Sequence, residues 1–303
     1  MKKVLVIMGS TASGKSDLSI KLAKEFNGEI ISCDSVQVYK GMDIGSAKIK
    51  EEEMQGIVHH MIDILDVHEN MNVAFFQEKA RTLIDDITSR RKLPICVGGT
   101  GFYIKALLYD YQFEKEEENF DDEYDEMSNE ELHDLLVTRD EKESLKIHVN
   151  NRKRLLRVHR LMDQSNVSKS ELLEKQSQTL LYDAQIFYLT HPREILVNRI
   201  NERVDQMIED GLLDVVESIS NHGENFNYQS LSAIGYKEFE AYFKKEKTLD
   251  EVISDIKTHT RQFSKRQMTW FKHQLKGTLI NVSEESYPTM AYRVSNWLDN
   301  DKI

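Results

Sequence analysis

The sequence predicts an α/β protein: a P-loop-type parallel sheet flanked by helices, interrupted by an all-helical insertion domain. Three observations predict it. An apolar run, KVLVIM, leads into GSTASGKS (9–16), which has the GxxxxGK[ST] spacing of a phosphate-binding loop. Runs of β-type apolar residues then alternate with amphipathic helical patterns, the rhythm of a parallel sheet covered on both faces. That rhythm fails at about Phe113 and returns only at AQIFYLT (184–190).

Each element follows from local pattern. KVLVIM reads as a buried first strand ended by Gly9, and residues 16–26 as an amphipathic helix. MKKVLVIMG has the basic start of a secretion signal but no long apolar region or small-residue cleavage site, so it reads as a strand. GEIISCD is a second buried strand, and VHHMID (58–63) a short third. Behind an Asn72 cap, Val73, Phe76, Ala80, Leu83, Ile84 and Ile87 fall at helical spacing. PICVGG is the next strand, followed by the helix TGFYIKALLY. ELHDLLVTRD, ESLKIHVNNRKRLLRVHRLMDQS and KSELLEKQS read as helices with no strand among them. Helices are then expected at 193–210, 211–221, 235–245 and 249–274, with a late strand, TLINVS. The domain boundaries expected are 1–112 with 184–303 for the core, and 113–183 for the insertion.

Composition narrows the class. A chain of 303 residues with three prolines and 40% hydrophobic residues fits a soluble, helix-rich globule. No stretch approaches the roughly 18 apolar residues of a membrane span. Two cysteines without a CxxC spacing argue against a disulfide framework or zinc site and for a reducing, cytoplasmic setting. The net charge of −12 speaks at first against nucleic acid. Its distribution reverses that. Residues 114–131 carry 11 acids and one lysine, a local charge of −10 that leaves −2 for the rest. RKRLLRVHR (152–160) carries five basic residues and no acid, and residues 257–276 carry six and no acid, interleaved with Phe263, Trp270 and Phe271.

The chemistry concentrates after three strands. In the loop, Gly9 and Gly14 let the backbone amides of Thr11, Ala12 and Ser13 converge on phosphate oxygens. Lys15 supplies a mobile cation, and the Ser16 hydroxyl is a ligand for Mg²⁺. Asp34 falls at the carboxyl end of the second strand, where open α/β sheets build their sites; an acid there serves as base, binds metal, or caps the following turn. GGTGFY (98–103) leaves a third strand, its glycines permitting close approach and Thr100 able to bond to Asp34 or a phosphate. His59 and His60 lack metal-ligand spacing, since neighbours on a strand point opposite ways. These residues leave the phosphorylated partner open: an ATP-binding kinase with RKRLLR as its lid satisfies them equally.

The ordered motifs GSTASGKS, DSVQVYKGMDIGSAK, HHMID, GGTGFYIKALL, HVNNRKRLLRV, RINERVDQMIEDGLLDVV, SAIGYKEF and RQFSKRQMTWF resemble those of the tRNA dimethylallyltransferase (isopentenyltransferase) family from residue 4 to about 275. Departures are mild: Ser10 stands where the family usually has Pro, Ser46 where it has Thr, Phe102 where it has Leu, and His159-Arg160 where it has Leu-Glu. With two cysteines, the zinc finger that eukaryotic members add is not expected, so the resemblance is to the bacterial type. It implies transfer of a dimethylallyl group from its diphosphate to N6 of the adenosine 3′ to the anticodon of tRNA, by a monomer with Mg²⁺ and no membrane partner. The implied catalytic residues are Asp34 as general base, Thr100 and Arg203. Gly9 and residues 11–16 would hold the diphosphate. Asp34, Ser35, Val36, Gln37 and Thr100 would meet the extruded base, and Lys153, Arg154 and Arg157 would contact the tRNA. The acidic run is expected on an outer face, away from RNA. Prenylation of a free adenine nucleotide and a non-catalytic RNA-binding switch are the competing readings; the extended basic surface and the Lys15–Asp34 pairing of functions disfavour them.

Overall fold

A computed structural model describes residues 1–113, 123–175 and 179–300. It divides into two compact units, Met1–Leu108 with Leu180–Ile303, and Tyr109–Thr179.

The first unit is built on one six-stranded sheet in which every pairing is parallel. In chain order its elements begin β1 (Lys3–Gly9), α1 (Lys15–Glu25), β2 (Gly28–Ser32), α2 (Glu51–Met54) and β3 (His59–His60). They continue α3 (Val73–Ser89), β4 (Leu93–Gly98) and α4 (Gly101–Leu108). The second unit supplies α5 (Asn129–Arg139), α6 (Glu141–Ser144), α7 (Arg152–Ser165) and α8 (Lys169–Lys175). The chain then returns as β5 (Asp183–Thr190), α9 (Arg193–Glu209), α10 (Leu212–Ile219) and α11 (Phe239–Phe243), and finishes α12 (Leu249–Gln274), β6 (Thr278–Asn281) and α13 (Tyr287–Asp299).

The strand order is β3-β2-β4-β1-β5-β6. β1 lies inside the sheet, which is why Val4 to Met8 are apolar without alternation: both faces are covered. Leu5, Ile7, Ile30, Ile95 and Phe187 face one layer, made by Leu18 and Leu22 of α1 and Val294 and Trp297 of α13. On the opposite face Tyr188 stacks on Phe271 of α12 at 5.7 Å, and its hydroxyl donates to the Leu275 carbonyl (3.0 Å). Among the described residues no helix is long and apolar enough to cross a membrane.

One charged residue sits inside this sheet. Glu29 of β2 has a side chain 3% exposed, held by Arg90 (2.8 Å to Nη2), Lys92 (2.8 Å) and His60 (2.8 Å). The Arg90 hydrogen bond dominates, and with Lys92 and His60 it outweighs burial and holds the carboxyl well below the usual range. Because the native pKa is depressed, this stabilisation is present above the ordinary Glu value and is lost as pH falls through the native one. Glu29→Ala is expected to cost about 2 kcal/mol at pH 7 in urea unfolding, less than a fully buried pair because Arg90 and Lys92 still reach water.

Several expected elements come out shorter; the helix expected over 143–165 begins only at Arg152, behind the Asn151 cap. The strand over 58–63 holds only for His59–His60, because Met61 and Asp63 take left-handed backbone (φ 63° and 54°) that ends the pairing. The helix over 235–245 reduces to α11: Gly235 is left-handed (φ 94°), and the buried Glu238 carboxylate accepts its amide (2.9 Å), making a turn where a helix was expected. α10 starts one residue later than expected because Gly211 (φ 92°) caps it. The single turn α2 carries no apolar periodicity and escaped the pattern reading.

The second unit has its own core of Leu132, Leu136, Leu155, Val158 and Met162, with Tyr124 and Ile147. Its polar interior is fully partnered. Asp140 accepts from the Ser170 amide (2.7 Å) and hydroxyl (2.6 Å), and Glu143, 1% exposed, meets Lys146, Lys169 and Arg154.

Candidate active site

Three neighbouring strands, β2, β4 and β1, deliver their carboxyl ends to one cleft of about 490 Å³. The loop after β1 is wound tightly. Ala12 (φ 66°) and Gly14 (φ 83°) are both left-handed, which for Ala12 costs about 1 kcal/mol and turns successive amides the same way. Gly9 packs tightly, since a Cβ there would meet Ser13 Oγ and come within 3.0 Å of the Leu189 carbonyl oxygen. Ser10 and Ser13 are buried with hydroxyls that find no partner among the described residues. Lys15 Nζ donates to the Ser10 carbonyl (2.8 Å). Thr11, Lys15 and Ser16 line the cleft, while Ala12 and Ser13 lie buried behind them.

Burial lowers the Lys15 pKa to about 8; nearby Asp34 raises it in part, and Arg203 lowers it further. Arg203 also lines the cleft, and its guanidinium has no hydrogen-bond partner among the described residues. Crowding by the walls lowers its pKa, and the charge of Arg199 adds to that. Arg199, one turn earlier on α9, turns the other way: its Nη1 lies 3.5 Å from the Ala12 carbonyl.

Asp34 lines the same cleft. Its Oδ1 accepts from the Val36 amide (2.8 Å) and the Gln37 amide (3.3 Å), so it caps the turn after β2. Oδ2 makes no hydrogen bond among the described residues. Capping, one of the alternatives in the sequence, therefore takes one oxygen of the carboxylate and leaves the other uncommitted. Ser35 and Val36 line the cleft beside it. The Gln37 side chain is committed inward: Oε1 accepts from the Ser32 hydroxyl (3.0 Å) and Nε2 points to the Ser46 carbonyl (3.4 Å). Lys48, 4% exposed, ties the far end of this loop to the Tyr39 carbonyl (2.7 Å), Asp43 (2.5 Å) and Asp63 (2.5 Å).

Thr100 lines the cleft, but no hydrogen bond joins it to Asp34 among the described residues. Its amide instead donates to the Cys33 carbonyl (3.4 Å), because β2 and β4 are adjacent and their loops run side by side. The glycines around it serve packing within the protein. A Cβ on Gly98 would meet the Cys33 carbonyl oxygen at 2.3 Å, one on Gly99 Gln267 Nε2 at 2.4 Å, and one on Gly101 the Trp270 ring at 2.3 Å. Gln267, buried on α12, donates to the Gly99 carbonyl (2.9 Å). Sequence reasoning missed Gln267, and also Tyr103, whose ring stacks on Phe76 at 4.8 Å as it enters the cleft. The glycine pattern was the available signal, but only the fold says what it admits. Apolar side chains of α9 and α12, among them Ile200, Val204, Met207, Ile256 and Phe263, form one part of the remaining wall, and residues 45–47, Gln229, Ser230 and 232–235 form another.

In the second unit α7 sorts its basic residues by face. Arg152 donates to the Met127 (2.6 Å) and Asp125 (2.7 Å) carbonyls, and Arg160 pairs with Asp125 (3.0 Å). Lys153, Arg154 and Arg157 are exposed; Arg154 also reaches Glu143 (3.3 Å), and Lys153 has no partner among the described residues. His159 is buried and bonds to the Leu132 carbonyl (2.9 Å). Of the acidic run, residues 114–122 lie outside the described residues; of the rest, Asp125, Glu126, Glu130 and Glu131 are exposed.

Fold and cleft together set a P-loop-type turn, an acid and the guanidinium of Arg203 around one cavity of an α/β protein, with Arg199 behind the loop, the equipment of a group transferase. A family model described as IPP transferase matches residues 37–274. A tRNA dimethylallyltransferase of Bacillus anthracis is 46% identical over 295 residues, covering 93% of this chain and 92% of the relative. One from Anoxybacillus flavithermus is 44% identical, covering 94% and 92%. Among solved structures, the tRNA delta(2)-isopentenylpyrophosphate transferase of Staphylococcus epidermidis is 38% identical, with a TM-score of 0.73 over 99% of this chain and 100% of that one. A eukaryotic dimethylallyltransferase acting on tRNA is 30% identical, with a TM-score of 0.87 over 99% and 80%. The chain belongs to the IPP transferase family.

Proposed function

We propose that this protein transfers a dimethylallyl group from dimethylallyl diphosphate to N6 of the adenosine 3′-adjacent to the anticodon in tRNA, releasing diphosphate. The observation that carries the reading is that a phosphate loop and a carboxylate with an uncommitted oxygen share one cleft with an apolar wall, in a chain of this family.

The loop amides, Lys15 and Arg203 bind the diphosphate and oppose the charge it gains as a leaving group. N6 attacks C1 of the allyl group, the C1–O bond breaks with its electron pair leaving on the diphosphate, and Asp34 Oδ2 accepts the N6 proton. The wall formed by α9 and α12 takes the five-carbon chain and excludes water that would hydrolyse it. Thr100 contacts the substrate. The base must leave its stack to enter, and the 34–37 turn meets it there. The helical unit, through Lys153, Arg154 and Arg157, contacts the anticodon stem-loop by its phosphates. The free thiols of Cys33 and Cys96 suit a cytoplasmic setting, and the protein acts as a monomer.

Mg²⁺ fits the donor set. Ser16 presents its hydroxyl at the start of α1, and no cluster of three or more His, Cys, Asp or Glu able to hold a metal occurs among the described residues. That suits an ion held by one protein hydroxyl, substrate phosphate oxygens and water. When bound, it neutralises charge on the leaving diphosphate.

The test is incubation with Mg²⁺, labelled dimethylallyl diphosphate, and either an unmodified tRNA with adjacent adenosines in its anticodon loop or AMP. Label on the tRNA is expected; label on AMP alone, or on neither, overturns the reading. Two further results are expected. Affinity for dimethylallyl diphosphate falls as pH rises through about 8, where free-enzyme Lys15 loses the proton that the anion requires. Calorimetric titrations from pH 7 to 9.5 check this. Lys153→Ala with Arg157→Ala lowers the slope of log K against log[salt] by about 1.5 for tRNA binding; filter binding at several salt concentrations measures it.

A further inference from the structure

β5 ends at Thr190, and the next residue, His191, is 8% exposed and belongs to none of the motifs above. It lies between three elements and against the backbone of Ser13 in the phosphate loop. Its Nδ1 is 3.0 Å from Ser283 Oγ in the loop after β6, and its Nε2 is 2.9 Å from Arg199 Nη1 on α9. A guanidinium has no acceptor, so Nε2 must carry the lone pair and Nδ1 the proton. That fixes one tautomer: Nδ1–H donates to Ser283, and Nε2 accepts from Arg199. The same Arg199 Nη1 reaches the Ala12 carbonyl at 3.5 Å, at the outer limit of a hydrogen bond. Ala12 is the non-glycine residue of the phosphate loop held in left-handed backbone.

We infer that His191 and Arg199 are positioning residues that hold the phosphate loop in its anion-binding shape. Arg199 and Arg203 stand one turn apart on α9 and do different work. Arg203 lies in the cleft for the diphosphate, whereas the lone pair of His191 keeps Arg199 turned to the loop backbone. Without that acceptor Arg199 loses its anchor, and Ala12 loses the donor that offsets its unfavourable backbone. Loop amides would then be misaimed, weakening ground-state capture of the diphosphate more than the transfer step. The inference rests on the reading of the loop as a diphosphate site.

The probe is inorganic pyrophosphate with Mg²⁺, bound to the full chain and followed by calorimetry, with transfer kinetics in parallel. His191→Ala is expected to raise the pyrophosphate Kd and the KM for dimethylallyl diphosphate about tenfold, the loss of a charge-assisted hydrogen bond, with kcat within about threefold. His191→Gln, whose Oε1 can replace the Nε2 lone pair, is expected to return both to within about twofold. A purely structural role would not distinguish Gln from Ala in this way. A His191→Ala Kd within twofold of the wild type, or equal losses in both variants, overturns the inference while leaving the diphosphate site standing. Wild-type protein that binds no pyrophosphate overturns the site and the inference with it. If His191→Ala does not fold, Ser283→Ala carries the test, since it frees the tautomer. A rise of about threefold in Kd is expected, and an unchanged Kd overturns the inference.

Discussion

Asp34→Asn is expected to lower turnover about 10²-fold or more while leaving the Kd for tRNA within about twofold. Asparagine is the informative substitution because the Asp34 carboxylate has two tasks. Its Oδ1 takes the Val36 and Gln37 amides at 2.8 and 3.3 Å, and an amide oxygen at that position keeps both bonds. The other oxygen becomes an NH₂ group that cannot accept the N6 proton. Asp34→Ala removes cap and base together and is expected to weaken tRNA binding as well, since the 34–37 turn loosens. Single-turnover transfer with tRNA in excess, beside direct binding measurements, separates the two variants. Equal turnover in Asp34→Asn and wild type would remove Asp34 as the base.

Lys15→Ala is expected to slow transfer by about 10²- to 10³-fold, the usual effect of removing one charge-stabilising group from a closed site. Lys15 Nζ is docked on the Ser10 carbonyl, inside the proposed diphosphate loop. Its loss acts on the leaving group as the C1–O bond breaks, so kcat falls along with affinity. Binding of tRNA, proposed to enter at the Asp34 side of the cleft, is expected to change little. Rapid-quench measurement of the transfer step reads the effect, and a variant that loses affinity for dimethylallyl diphosphate without losing kcat would confine Lys15 to ground-state binding.

The parallel sheet and its helices were legible because each signal is local: an unbroken apolar strand, a capped amphipathic helix, a glycine loop. The phosphate loop and the position of Asp34 were legible for the same reason, as both follow directly from a strand end. What failed was either backbone detail or long-range contact. Left-handed residues at Met61 and Asp63 cut β3 short, and nothing in their side chains forecasts it. GGTG announced a close approach, but its partners Gln267 and Trp270 lie more than 160 residues away in sequence. His191 was illegible in a stronger sense. Its importance arises from three segments meeting, and each of them alone reads as an ordinary loop or helix face.

The strand order has a metric consequence. β1 and β2 are separated by β4 alone, so the strands that carry the phosphate loop and Asp34 stand two strand spacings apart, about 10 Å. An in-line displacement has nearly that length: a breaking carbon–oxygen bond, a nitrogen approaching to about 3 Å, and a hydrogen bond of about 3 Å to the carboxylate. On the proposed reaction, the hydrogen-bonded pitch of the sheet sets the span between leaving group and base.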